Sequence, residues 1–174
     1  MDLQYPVGRF QWSGQKLTSA ERNSFINDIE AAPAKIRAAA AGMSEAQLDT
    51  PYRPGGWTAR QVIHHVADSH MNAFIRFKLA VTEAEPIIKP YDQDSWASLP
   101  DMSAPIGVSL NILDGLHHRW VLVLRSLSEE DFAKTFVHPE LGKVSLDKNL
   151  ALYAWHGRHH TGHVHSVRER AGKS

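Results

Sequence analysis

From Thr18 onward, apolar and polar positions follow one another with the period of a helix. Thr18 and Glu21 fit a capping box, and Phe25, Ile29 and Ile36, with a run of alanines, predict an amphipathic helix ending near Gly42 with a bend at Pro33. Ser44 to Leu48 adds a single turn, and Asp49 to Gly56, with two prolines and paired glycines, reads as a loop. Thr58 and Gln61 open a second helix, in which Val62, Val66, Ala73, Phe77 and Ala80 recur at helical spacing to about Glu85. A helix of about 27 residues spans roughly 40 Å, the full length of a bundle. Pro86 to Pro105 holds four prolines with Tyr91 and Trp96, and is expected to be a long connection closing over one end. The third helix is predicted over Ile106 to Leu127, with Val108, Ile112, Leu116 and Trp120 on one side. Ser128 to Phe132 makes a short turn and Phe136 to Val144 a turn or small hairpin. The fourth helix starts near Ser145 and follows Leu146, Leu150, Tyr153, Gly157, Val164 and Val167. Met1 to Leu17 has no sustained period and contains Pro6, Gly8 and Gly14, so it reads as an extended arm laid over the surface. The expectation is an all-α four-helix bundle in a single domain, residues 1–174, with an N-terminal arm and a long loop between helices two and three.

Composition narrows the function classes. At 174 residues the chain is long enough to bury a substantial core. Lys plus Arg number 19 and Asp plus Glu 19, with no block of like charge, so there is no footprint for nucleic acid or an anionic membrane, and a small-molecule partner is expected. The absence of cysteine excludes disulfides, a thiolate zinc site and a cysteine nucleophile. No stretch is apolar enough for a membrane span, and the N-terminus lacks a basic segment followed by an apolar run, so a cytoplasmic protein is expected.

The candidate chemistry is histidine. Five of the eleven histidines fall between Ala154 and His165. On a helix, His156 and His160 project from one face a turn apart, with His163 close to the same line and His159 facing away. Two imidazoles at this spacing fill two corners of a metal coordination sphere, and a third ligand must come from elsewhere. The competing reading is a solvated polar face. The second helix carries a second cluster, His64, His65, Asp68 and His70. Its wheel puts His65, Asp68 and Gln61 on the flank of the apolar stripe and His70 nearer the centre, with His64 pointing away. The wheel does not choose between His65 and His70. His117 and His118 read as a polar or interfacial face of the third helix. No Gly-x-Ser-x-Gly elbow is present, which removes a serine hydrolase.

Trp57-Thr58, Gln61-Val62 and His65-Val66-Ala67-Asp68, together with His156, His160 and Gly162-His163, resemble the DinB/YfiT-like superfamily, and within it the YfiT branch of metal-dependent hydrolases. Tyr5-Pro6-Val7-Gly8, Leu48 to Arg53, Arg76 to Leu79, Pro90-Tyr91-Asp92 and His118-Arg119-Trp120 carry the same likeness, which covers most of the chain. The resemblance implies a bundle with one divalent metal per chain, zinc or nickel, held by His65, His156 and His160, in a protein that is often a homodimer. It implies for His163 the role of extra ligand, substrate contact or partner of a ligand.

Three neutral imidazoles leave an ion its full charge and an open position. Such a site lowers the pKa of water or binds a thiol as thiolate. Asp68, one turn after His65, is a candidate general base or acceptor of a ligand's ring proton, and His163 a second candidate catalytic group. The expected activity is metal-dependent hydrolysis of a small substrate. The alternatives are S-transfer from a low-molecular-weight thiol of the bacillithiol or mycothiol kind, and a metal-binding bundle without catalysis.

Overall fold

A computed structural model describes residues 2–171; Met1 of the expected arm and residues 172–174 of the expected domain lie outside them. Four long helices carry the structure: α1 (Ser19–Ala40), α3 (Ala59–Thr82), α5 (Ile106–Ser126) and α7 (Leu146–Ala171). Short elements join them: α2 (Glu45–Leu48), α4 (Gln93–Trp96), a 3-10 turn at Pro100–Ser103, α6 (Glu129–Ala133), and the antiparallel strands β1 (Thr135–His138) and β2 (Gly142–Ser145). In the bundle α1 packs against α7 and α5, and α3 against the same two, so α1 and α3 stand on one diagonal.

The helix starts follow the sequence signals. Thr18 and Thr58 each accept the backbone N–H of the third helical residue, while Glu21 and Gln61 reach back to the cap N–H, closing both capping boxes. Helix α3 ends at Thr82, three residues before the expected Glu85, because Pro86 lies shortly beyond and the chain turns out to pair with β1 through Ile88 and Val137. The segment Phe136 to Val144 is a hairpin with Phe136 and Val144 paired and buried. The long connection is not featureless: α4 and the 3-10 turn lie within it, and Gln61 Nε2 donates to Ala97 O at 2.9 Å.

The apolar core has two parts. One, built on Ile29, Phe77, Trp120, Leu124, Leu146 and Leu150, fills the end nearer the hairpin. The other, built on Ile36, Val62, Ile63, Val66, Leu113 and Val164, fills the opposite end. Each fully buried large apolar side chain contributes roughly 1.5–3 kcal/mol. Between them, at the level of Ala32 and Pro33 on α1, runs a layer of histidines, the buried His70 from α3 and His117 from α5 and the half-buried His156 from α7. Gly157 lets α7 come close here, since a Cβ on it would meet Ala32 Cβ at 3.2 Å. At the hairpin end, Arg22 and Asp147 form a buried two-pronged ion pair of 2.7 and 2.8 Å that ties α1 to α7.

Candidate metal centre

Three rings converge where α3 faces α7. His65, His156 and His160 each present a ring nitrogen within 4.8 Å of the others'. Ring centroids lie 5.4 Å apart for His65 and His156, 4.9 Å for His65 and His160, and 4.4 Å for His156 and His160. The i, i+4 spacing on α7 sets two of them edge to face, and the pairing of α3 with α7 brings the third. Burial holds the rings uncharged. The imidazole of His65 is pushed down to about 4 by desolvation and by repulsion from His163, and those of His156 and His160 are held well below the ordinary histidine range for the same kinds of reason.

The protons on two of these rings are assigned by what stands behind them. His117 Nδ1 lies 2.6 Å from Ile29 O, and a carbonyl only accepts, so His117 carries its proton on Nδ1. His117 Nε2 therefore accepts from His70 Nδ1–H at 2.8 Å, and His70 Nε2 in turn accepts from His156 Nδ1–H at 3.1 Å. All three rings are neutral, kept so first by desolvation. The relay leaves the lone pair of His156 on Nε2. Its anchor is explained by sequence: Pro33 has no N–H to donate to the carbonyl four residues earlier, so Ile29 O is free to take His117.

A second, shorter relay stands behind His160. His163 Nε2 lies 3.2 Å from Gln4 O and must donate there, so His163 Nδ1 accepts from His160 Nδ1–H at 3.2 Å. The lone pair of His160 again falls on Nε2. Both ligand candidates of α7 thus have their ring protons taken up by histidines that end on backbone carbonyls, the arrangement that orients metal-binding imidazoles. Lone pairs brought together without a proton between them repel one another, and a cation relieves that repulsion; the donor set fits a divalent ion of borderline softness. His159, His160 and His163 form a second group with nitrogens within 4.8 Å. His160 belongs to both, and in the second group the nitrogen of His163 that faces His160 is already accepting its proton.

The site lies on a cavity of about 520 Å³ lined by residues from five segments. The loop after α2 lays Tyr52 flat on His163, with centroids 3.9 Å apart, and sets Trp57 against His65 at 4.7 Å. The N-terminal arm covers another side: Trp155 Nε1 donates to Gly8 O at 3.0 Å, and Pro6 fits against Gly162, where a Cβ would come within 2.8 Å of Pro6 Cγ. Gln93 and Asp94 of α4 complete the rim, so the long connection does close over this end.

Several placements differ from the helical wheels. His159 does not face solvent; it is buried, stacks on Trp155 with centroids 4.3 Å apart and lines the cavity, because Tyr5 of the arm lies over that flank. His64 is also buried, its Nε2–H donating to Ala104 O at 3.0 Å and its Nδ1 accepting from Ser109 at 2.7 Å. His117 is in the core rather than on a polar face. Asp68 lies outside the cavity lining, and among the described residues its carboxylate takes no ring proton; burial, then Asp101, pushes it up to about 6.

A bundle with a largely buried cluster of three histidines beside a cavity is the class that these features define. Residues 28–164 match the DinB superfamily. The chain belongs to that family. It is 54% identical over 169 residues to a protein of Bacillus mycoides (strain KBAB4) and 51% identical over 170 residues to one of Oceanobacillus iheyensis, each named "putative metal-dependent hydrolase". These alignments cover 97% and 98% of this chain and the same shares of the two relatives. Among solved structures it is similar to YfiT from Bacillus subtilis, described as a probable metal-dependent hydrolase with an unusual four-helix bundle topology. The TM-score is 0.94 at 42% identity, over 99% of both chains. TT2238, a four-helix bundle protein, shares the fold with a TM-score of 0.55 at 20% identity, over 88% of this chain and 99% of that one.

Proposed function

We propose that the chain is a hydrolase of a small substrate that works with one divalent ion, zinc or nickel, held by His65, His156 and His160. The observation that carries this reading is the pair of ring-proton relays, His156 to His70 to His117 to Ile29 O and His160 to His163 to Gln4 O, which present two Nε2 lone pairs beside His65. A divalent ion bound there supplies Lewis acidity, lowering the pKa of a water or polarising a carbonyl. The protein does the rest by position. Its three ligands are neutral, so the ion's charge is undiminished, and Tyr52, Trp57 and the arm restrict the access of bulk water. His163 has its two nitrogens engaged by His160 and Gln4, so its role in this reading is to orient His160. Asp68 has no assigned part, because it lines no side of the cavity.

The test is a panel of nitrophenyl esters and amides assayed with the protein loaded with zinc or nickel, with and without a low-molecular-weight thiol. Hydrolysis that exceeds that of the free ion, needs no thiol and disappears in a folded His160→Ala variant supports the reading. Turnover only when a thiol is added would replace it with thiol transfer, and none under either condition would leave a binding protein.

A further inference from the structure

His156 has a second side. It also lines a chamber of about 690 Å³ between α3, the start of the long connection, the hairpin and α7, and Gln93 is common to both cavities. The half-buried Arg76 lines this chamber with no ion pair or hydrogen bond to any described residue, whereas the buried Arg22 and Arg60 and the half-buried Arg158 are each paired with a carboxylate.

The two carboxylates at the chamber's edge do not neutralise it. Asp92 is exposed and caps α4, accepting from the backbone of Asp94 and Ser95 and from Ser95 Oγ at 2.6 Å, and Glu140 is exposed on the hairpin turn. The other polar groups on the wall are neutral donors. His138 Nδ1 accepts from Glu140 N–H at 3.2 Å, so its Nε2 carries the proton, and burial and the nearby Arg76 charge keep the ring neutral. Tyr153 Oη and Ser69 Oγ are 3.3 Å apart, and Tyr91 lies on the same wall. Burial pushes the Tyr91 hydroxyl up to about 12 and that of Tyr153 upward too, so both stay protonated.

We infer that this chamber is a subsite for a carboxylate borne by the substrate, which Arg76 grips while the bond to be cleaved lies at the three-histidine centre. A planar guanidinium pairs two-pronged with a planar carboxylate, and the surrounding hydroxyls and His138 satisfy its remaining lone pairs. The substrate class is therefore an anionic ester or amide rather than a neutral one. The inference rests on the proposed hydrolase reading for the location of the reacting end.

The probes are monohydroxamates of a series of dicarboxylic acids of increasing length, each paired with its terminal amide, and titrated calorimetrically into the zinc-loaded full-length protein. The hydroxamate seeks the ion and the far end samples the chamber. At one chain length the carboxylate should bind at least tenfold tighter than its amide, and in Arg76→Gln that preference should collapse to about twofold or less. Equal binding of acid and amide at every length, or a preference that survives in Arg76→Gln, overturns the inference. A second measurement separates it from the metal reading: acetate titrated into metal-free protein while the Arg76 Nε–Hε nuclear magnetic resonance signal is followed. A saturable shift with acetate but not acetamide supports the subsite even if no hydroxamate binds, in which case the metal reading fails alone. No shift through the millimolar range overturns the subsite.

Discussion

Replacing His117 by Phe tests the longer relay without touching any of the three converging rings. His117 is buried at 2% exposure, and Phe keeps a ring in the space it fills. The substitution removes the bonds to Ile29 O at 2.6 Å and from His70 at 2.8 Å. His70 then has no acceptor for Nδ1–H and gains by moving its proton to Nε2, where it faces His156. His156 can only accept that proton on Nδ1, which puts its own proton on Nε2, the nitrogen needed for the ion. Loss of such an outer partner typically costs ten- to a hundredfold in metal affinity, or about 1.4–2.7 kcal/mol. The buried Ile29 O, left without its donor, adds roughly 1–3 kcal/mol of lost stability. Zinc affinity measured by competition with a chelating dye, with folding followed by circular dichroism and urea unfolding, reads both. His117→Gln, which offers an amide donor and an acceptor, should lose less affinity than Phe. A folded His117→Phe protein that binds zinc within twofold of the wild type refutes the assignment of ring protons.

Other consequences follow from the same geometry. Gly162→Val should push Pro6 away, since even a Cβ meets Pro6 Cγ at 2.8 Å, and so detach Gln4 from His163; the arm should become more sensitive to proteolysis and zinc affinity should fall several-fold. Asp147→Ala strands the buried Arg22 and removes the acceptor of Leu17 N–H, and should cost about 3–5 kcal/mol in urea unfolding. In metal-free protein, His117 has its pKa lowered from 6.5 in the unfolded chain to about 4 in the folded state. The unfolded chain therefore binds the proton first as pH falls, so this residue destabilises the fold progressively from about pH 6.5 down to about 4. The full loss is roughly 3 kcal/mol at about 1.4 kcal/mol per pH unit. His117→Gln should flatten the stability profile by one proton across that window and leave its slope unchanged above pH 7.

Much of the bundle was legible because it rests on local rules. Thr18 with Glu21 and Thr58 with Gln61 announce two helix starts, and the apolar stripes of α3 and α7 give their inner faces. The pair His156 and His160 is likewise local, a matter of i, i+4 spacing. The third ring was not decided by the wheel, and the reason is physical: His65 joins the cluster and His70 stands behind His156, so both face the interior from one helix. His117 was illegible. Its partner is a backbone carbonyl 88 residues earlier, exposed to bonding by a proline whose expected effect was only a bend. A helical wheel points His159 and His64 outward because it knows nothing of the arm over α7 or the crossover over α3. The chamber at Arg76 draws on α3, the connection, the hairpin and α7, and no single segment signals it.

The central claim, that His65, His156 and His160 together hold one divalent ion, is tested most directly by elemental analysis of untagged protein beside folded His65→Ala and His156→Ala variants. The account predicts about one zinc or nickel per chain in the wild type and its loss from both variants. Wild-type protein that takes up neither metal after incubation, or variants that retain a full equivalent, would contradict it.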